Sequence, residues 1–430
     1  MRSYVALICL IGALQLTSGI VEAQEWARFR GPNGTGVSEA ATIPVKWTEA
    51  DYNWKSEIPG LGHSSPAIWG DKVFLLSADP DTATRYMLCY SAIDGSQVWR
   101  KEYKSESHHL HIRSSFASSS PAVDAKHAYV GWSTPSETSF KAFNHDGTEA
   151  WSVNLGRWVS QHGFGASPIL YDDLVILHNS QQANQLKDGE KPGDSFMMAF
   201  KRDTGEEVWR TPLVSMNVCY SVPFIYAPEG GTDELVCIST GNGVFSLDPN
   251  TGEKNWAIEG VFKMRTVGSP ITAGGHIFGS TGSGGYSGNY VAAIKPGKQP
   301  AVAYELKNSG TFKAPYVPSL IAKGDAVFCL YDQGFAACFD APTGKIRWLE
   351  RTEAAFSGSP IRVRDRIYCL DEDGVVWVIA ADEKEYKLLA KNDLGEPSRS
   401  TPAVSGGKLF LRTYSHLICV GGKESVALAR

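Results

Sequence analysis

The sequence predicts an all-β chain folded as an eight-bladed β-propeller of four-stranded antiparallel blades. Three observations lead to this fold class. A short phrase, a small or polar residue followed by Ser, Thr or Val and then Pro, opens an apolar run eight times. Successive copies lie 42 to 55 residues apart, which is a period typical of repeat proteins. Short strand-like runs separated by turn residues fill most copies. The prolines of the phrase are Pro66, Pro121, Pro168, Pro223, Pro270, Pro318, Pro360 and Pro402.

The first repeat shows the order of elements that the later ones reuse. Residues 67–69 and 72–77 are strand-like and flank Gly70-Asp71, and after an insertion residues 86–93 lead through Asp94-Gly95 into residues 97–100. Such turns need Asn, Asp or Gly because they use positive backbone angles that other residues adopt only at a cost. A tryptophan follows the last turn in five repeats, at Trp99, Trp151, Trp209, Trp256 and Trp348.

The two ends of the chain complete each other. The eighth repeat has only three strand-like runs, while the orphan run Tyr52 to Ile58 precedes the first repeat and carries Trp54 where a fourth strand carries its tryptophan. Pairing the two ends closes the ring and removes its open edges. The alternative is a seven-bladed propeller in which one phrase has been misread.

The domain boundaries follow from these elements and from the first residues. Residues 1–23 combine Arg2, an apolar run too short to span a bilayer and a small-residue site before Gln24, which is the pattern of a signal peptide. We therefore expect an exported protein, periplasmic or secreted, without a transmembrane segment after cleavage; an uncleaved anchor is the alternative. Residues 24–50 are predicted to be an irregular segment, 51–424 a single propeller and 425–430 a tail. The net charge of -5 disfavours nucleic acid as a partner, and we expect a monomer.

Seven cysteines remain after cleavage, and no C-x-x-C motif is present. A two-residue loop at Gln333-Gly334 would place Cys329 opposite Cys338 in a hairpin. That register would allow a disulfide between the two cysteines. The favoured interpretation is that both act as small buried apolar side chains.

The phrase Ser-Pro-Ala at the start of a repeat of this size, with D-G or T-G before a tryptophan, resembles the PQQ-like repeat propellers. That family includes quinoprotein alcohol dehydrogenases and the BamB-like assembly factors. The resemblance covers residues 47–422, and the segment 26–36 is similar to a phrase of exported propellers from planctomycete-like bacteria. It implies an eight-bladed fold and an exported location.

The residues of the family's dehydrogenase site cannot be placed in this chain. The family's dehydrogenases use a disulfide between adjacent cysteines, a tryptophan beneath the quinone, and a calcium ion held by Glu, Asn and Asp. No Cys-Cys pair occurs here, and no motif identifies the calcium ligands. We therefore expect no cofactor, with pyrroloquinoline quinone (PQQ) and calcium left open as an alternative.

The long insertions predict which face of the propeller binds. Every one of them lies in a connection between repeats or between second and third strands, and these connections share one face. The residues just before the prolines should surround the channel mouth on that face, where their cationic and polar groups suit an anionic or polyhydroxylated ligand. Solvated loop residues are the alternative interpretation. The candidates are His63, His108, His109, His111, Arg113, Gln161, His162, Asn217, Lys263, Arg265, Lys313 and Arg399.

No catalytic or metal motif competes with this interpretation. The cluster His108-His109-Leu110-His111 has no carboxylate or thiolate partner in sequence, which disfavours a metal site. The sequence therefore predicts a non-catalytic binding or scaffold module that holds a small ligand or a protein partner. Two alternatives stay open: a quinoprotein dehydrogenase with an atypical site, and a polysaccharide hydrolase or lyase, which would need a buried pair of carboxylates near the channel.

Overall fold

The computed structural model describes residues 25–285 and 287–422, so the predicted signal peptide and the whole predicted tail, residues 425–430, lie outside the described residues. Eight sheets follow one another along the chain, and each contains four antiparallel blade strands; these strands are consecutive in seven blades, whereas the eighth blade takes one strand from the N-terminal end. The predicted eight-bladed propeller is confirmed, and the seven-bladed alternative is wrong. Within the described residues, no helix has the length and hydrophobicity needed to cross a bilayer.

Each blade begins with a short inner strand just after its proline and ends with an outer strand. Blade 1 contains Ala67–Trp69, Lys72–Ala78, Arg85–Ser91 and Gln97–Tyr103, and blade 2 contains Ala122–Val123, His127–Ser133, Thr138–Asn144 and Glu149–Asn154. Blade 3 contains Ile169–Tyr171, Leu174–Asn179, Ser195–Lys201 and Glu207–Leu213, and blade 4 contains Phe224–Tyr226, Glu234–Ser239, Gly243–Leu247 and Lys254–Ile258. Blade 5 contains Ile271–Ala273, His276–Thr281, Tyr290–Lys295 and Ala301–Lys307, and blade 6 contains Ile321–Lys323, Ala326–Leu330, Phe335–Asp340 and Ile346–Arg351. Blade 7 contains Ile361–Val363, Arg366–Leu370, Val375–Ala380 and Leu388–Asp393, and blade 8 contains Ala403–Ser405, Lys408–Arg412, His416–Gly421 and Tyr52–Glu57.

The ring is closed by the N-terminal strand, as predicted. Tyr52–Glu57 pairs antiparallel with His416–Gly421, and Trp54 lies opposite Cys419. The apolar core lies between the faces of neighbouring blades; for example, the rings of Phe140 and Phe200 are 5.5 Å apart. Both faces of each central strand are therefore buried, which explains the continuous apolar runs in the sequence.

In seven of the eight blades a Ser or Thr next to the proline joins neighbouring blades; in blade 6 this residue is Ser319, directly after Pro318. The backbone N–H of Ser65 donates to Ser120 Oγ at 2.8 Å, and the N–H of Ser120 donates to Ser167 Oγ at 2.9 Å. The same bond recurs around the channel, and the last one runs from Thr401 N–H to Ser65 Oγ. We call this set the hydroxyl belt. It consists of Ser65, Ser120, Ser167, Ser269, Ser319, Ser359 and Thr401. Blade 4 has Val222 at this position, so the belt is interrupted between blades 3 and 4.

The tryptophans of the outer strands join the blades at the opposite face. Trp99 Nε1 donates to the carbonyl of His145 in the next blade at 2.9 Å. A Cβ atom on Gly147 in the same turn would lie 2.8 Å from the indole, and the φ of this glycine is +87°. The D-G and T-G turns therefore need glycine both for the backbone angle and for the close approach of the neighbouring ring.

The segment before the propeller crosses the channel at the face opposite the long loops. Its backbone carbonyls accept hydrogen bonds from the inner strands of blades 1, 2 and 7, and the side chains of Arg28 and Arg30 donate to the carbonyls of Pro223 in blade 4 and Leu320 before blade 6. Arg30 is fully buried. The predicted irregular segment contacts six blades, since the hydroxyl of Thr42 also donates to the carbonyl of Gly407 in blade 8. Its residues Val37–Ser38 add a short parallel strand to blade 7.

The predicted register between Cys329 and Cys338 is wrong. Cys329 pairs with Ala337, and Cys338 pairs with Phe328. The reason is the length of the hairpin loop: three residues lie between Tyr331 and Phe335, which close the hairpin, whereas a loop of two residues was predicted. The shift by one residue turns the two thiols toward opposite faces of the sheet. Each cysteine lies in a different core cluster, and all seven cysteines of the described residues are free and buried.

Candidate functional site

A cavity of about 820 Å³ occupies the central channel on the face of the long loops. Its walls come from residues just before the blade prolines and from the loops around residues 111–114 and 282–284. Its floor is formed by Phe29 of the N-terminal segment and by belt residues such as Ser120 and Ser167. The channel is therefore a pocket open at one end, of the size of a small-molecule site.

The structure brings together most of the residues that the sequence singled out. Those that line the cavity are His63, His111, Arg113, Gln161, His162, Asn217, Lys263, Arg265 and Arg399. Three predicted residues are not in the lining. His109 is exposed, the ring of His108 packs edge-on against Phe116 at 4.9 Å, and Lys313 lies behind the wall.

Arg265 and His162 form the centre of the polar wall. Arg265 Nη1 lies 3.0 Å from His162 Nε2 and 3.3 Å from the hydroxyl of Tyr316, while Arg265 Nε donates to the carbonyl of Val218 at 2.8 Å. A guanidinium group can only donate, so His162 Nε2 is the acceptor and the ring proton lies on Nδ1, which is 2.9 Å from Ser114 Oγ. Burial and the charge of Arg265 lower the pKa of His162 to about 3. His162 is therefore neutral, and both of its nitrogens are engaged.

The other side of the cavity carries Arg399. Arg399 Nη2 lies 3.2 Å from a carboxylate oxygen of Glu372, whose second oxygen accepts from the hydroxyl of Ser357. Asp332 lies behind this wall and accepts from the N–H of Tyr316 at 3.3 Å. Burial, with a smaller contribution from the charge of Glu372, raises the pKa of Asp332 to about 6. Neither carboxylate lines the cavity.

Sequence reasoning missed three aromatic residues of the site. Tyr220 and Tyr316 line the walls a few residues before Pro223 and Pro318, so the rule that found the cationic residues could have found them too. Phe29 had no such signal, because a segment outside the repeats has no periodicity that places it in the channel.

The residues present do not fit the calcium and quinone site of the family's dehydrogenases. The cavity lining includes no Asp, Glu, Cys or Trp among the described residues. Calcium requires several oxygen ligands, usually including carboxylates. Within residues 25–285 and 287–422, no group of three or more His, Cys, Asp or Glu side chains could hold a metal ion.

Comparison with known proteins agrees with this architecture. The family model described as outer membrane protein assembly factor BamB matches residues 45–299 and 315–415. BamB from Moraxella catarrhalis is 15% identical with a TM-score of 0.59, over 85% of this chain and 98% of that chain. Quinohemoprotein alcohol dehydrogenase from Comamonas testosteroni is 10% identical with a TM-score of 0.66, over 95% of this chain and 82% of that chain.

A third solved structure extends the same fold likeness. Sqt1 from Saccharomyces cerevisiae is 11% identical with a TM-score of 0.57, over 89% of this chain and 99% of that chain. No curated protein matches the sequence. At these identities the solved structures show the fold alone, whereas the family model covers most of the chain. The chain belongs to the PQQ-like β-propeller family described by the BamB assembly factor.

Proposed function

We propose that this protein is an exported, non-catalytic binding module that holds its ligand or partner on the long-loop face, with the cavity at the centre. The observation that carries the proposal is the cavity itself, whose lining brings loop residues such as His111, Arg113 and Gly284 together with the donor groups of Lys263, Arg265 and Arg399. The relative named as an outer membrane assembly factor supports export and a binding role.

The arrangement of the polar groups favours binding over chemistry. A general base needs a free acceptor nitrogen or oxygen within reach of the substrate. His162 has both ring nitrogens engaged, by Arg265 and Ser114. Burial and nearby arginines lower the pKa of the other two lining histidines, His63 and His111, which makes both weak bases. Asp332 and Glu372, which a hydrolase would need to place at the substrate, lie behind the lining. These contacts disfavour the hydrolase or lyase alternative, and the donor set disfavours the quinoprotein alternative.

A ligand screen with a blocked variant tests the proposal. The thermal midpoint of the chain from Gln24 onward would be measured with saccharides, organic acids, peptides, and PQQ with calcium. Asn217→Trp fills the cavity from its wall, and Asn250→Trp places the same bulk on an exposed turn away from the cavity. We expect a saturable rise in midpoint with at least one non-quinone ligand for the native chain and for Asn250→Trp, and none for Asn217→Trp.

Two outcomes would contradict the proposal. A ligand that stabilises Asn217→Trp as well as the native chain binds outside the cavity. A rise with PQQ and calcium alone, lost on chelation, would instead favour the dehydrogenase alternative.

A further inference from the structure

The charge of the cavity is strongly one-sided. Its lining contains Arg113, Lys263, Arg265 and Arg399 and no carboxylate, in a chain whose net charge is -5. The carboxylate of Glu372 partly compensates Arg399 from behind the wall. The charge of Arg113 likewise acts on the carboxylate of Asp332, whereas Lys263 and Arg265 form no salt bridge with a described residue.

Arg265 has no counter-ion in the described part of the chain. It donates to a carbonyl, an imidazole and a phenol, all neutral, and it forms no salt bridge with a described residue. A guanidinium withdrawn from water is stabilised by an anion, and its planar donors suit a carboxylate or a phosphate. The three contacts hold the group in place at the wall, so an anion in the cavity can reach it without moving the side chain.

The floor adds hydroxyl donors. In the hydroxyl belt each side-chain oxygen accepts a backbone N–H, which leaves its hydroxyl hydrogen to donate elsewhere. No described residue accepts from the hydroxyl groups of Ser120, Ser167 or Thr401, and all three line the cavity. A ligand with many oxygen acceptors would satisfy these donors.

The walls add aromatic surface and room. The rings of Phe29, Tyr220 and Tyr316 line the cavity beside these donors. A volume of about 820 Å³ is far larger than an inorganic anion needs. Sugar rings combine many hydroxyl oxygens with apolar faces that pack on aromatic rings, and they fit this mixture better than an aliphatic acid does.

We propose that the cavity binds an anionic saccharide, with its carboxylate or phosphate group on Arg265 and its hydroxyl groups on the hydroxyl belt. This inference rests on the proposed function and names the ligand class of the same site. Lys263, which is exposed at the cavity wall, adds long-range attraction for the same anion.

Calorimetric titration with matched neutral and charged sugars tests the inference. The probes are digalacturonate against its methyl ester, and glucose 6-phosphate against glucose, so the two arms separate a carboxylate from a phosphate source. We expect at least one charged member to bind about tenfold or more tightly than its neutral partner, with the preference reduced at high salt. Equal binding within both pairs, or no binding by any probe, would overturn the inference.

Variants locate the anion. Arg265→Gln should remove the preference for the charged sugar, whereas Arg210→Gln on an exposed outer strand should leave it unchanged. Because Arg265→Gln also breaks three hydrogen bonds, Lys263→Gln provides a second test at an exposed side chain, with an expected loss of about two- to threefold at low salt. A full preference retained in a folded Arg265→Gln protein contradicts the assignment. If instead the broader screen finds a neutral ligand that Asn217→Trp excludes, the proposed function stands and the anionic class is wrong.

Discussion

The indole of Trp54 lies against Gly95 at the point where the ring closes. A Cβ atom at Gly95 would lie 2.6 Å from Trp54 Cδ2, and the hydroxyl of Ser56 donates to the carbonyl of Gly95 at 2.6 Å. Trp54 belongs to the N-terminal strand of blade 8, and Gly95 to a turn of blade 1. The closing strand therefore joins its neighbour through the same ring-on-glycine contact that Trp99 makes with Gly147.

Substituting this glycine should destabilise the ring closure. We expect Gly95→Ala to lower the free energy of unfolding by about 1 kcal/mol for the positive φ and by about 1–3 kcal/mol more for the clash with the indole. Gly275→Ala is the matched control, because Gly275 has the same φ of +75° and no atom within 4 Å of the added methyl group. Urea unfolding of both variants measures the difference; equal losses would show that the contact with Trp54 has no energetic role.

The hydroxyl belt should contribute to stability through each of its oxygens. Ser319 Oγ accepts the buried N–H of Ser269 at 2.9 Å. Ser319→Ala leaves that N–H without a partner, and we expect a loss of about 1–3 kcal/mol in the free energy of unfolding. Ser136→Ala, at an exposed loop position, should change it by less than about 0.5 kcal/mol. A loss at Ser319 no larger than that of the control would mean that water replaces the hydroxyl.

Asp332 should make the protein less stable as the pH rises. Its pKa is raised from 3.8 to about 6 by burial, so the folded state binds a proton more tightly than the unfolded state. Stability is therefore lost between about pH 4 and pH 6, by up to about 3 kcal/mol. At pH 7 Asp332→Asn should be more stable than the native protein. At pH 4, where Asp332 is largely protonated in the folded state, this difference in stability should be smaller. Urea unfolding across this range measures the change, and parallel pH profiles for the two proteins would contradict it.

The thiols offer a test of the corrected hairpin register. Because Cys329 and Cys338 lie in different core clusters, no disulfide joins them. The chain from Gln24 onward should release seven titratable thiols in denaturant without reductant, and almost none when folded, since every cysteine is buried. Five thiols after denaturation would indicate a disulfide and contradict the register.

The fold could be predicted from the sequence because each repeat encodes the same contacts. In most repeats a hydroxyl residue next to the proline, the glycine of the last turn and the following tryptophan are required by packing against the next blade, so they recur at corresponding positions. The register of the hairpin at Tyr331 could not be predicted, because one extra loop residue changes the facing of every side chain while the local pattern stays the same.

The site was predictable only in outline. Residues just before the prolines converge on the channel because the inner strands surround it, which placed Arg265 and His162 correctly in the lining. The position of His108 and Lys313 depends on how long loops fold, and no repeat contact determines that. The role of Phe29 depends on a segment that binds several blades at once through Arg28 and Arg30, which no local pattern predicts.

Because Tyr52–Glu57 pairs with His416–Gly421, blade 8 cannot be completed before the last strand of the chain has been synthesised. Tyr52–Glu57, the first strand of the propeller, has no partner strand until one of the last segments has been synthesised. Until then, the strands at both ends of the incomplete propeller have unpaired edges. Premature termination near residue 410 would leave blade 8 with exposed backbone donors and acceptors, which favour intermolecular strand pairing. Protection of these edges in a nascent chain therefore requires synthesis of the C-terminal strand. In a protein of several small domains, by contrast, each domain can fold as soon as its own residues have been synthesised.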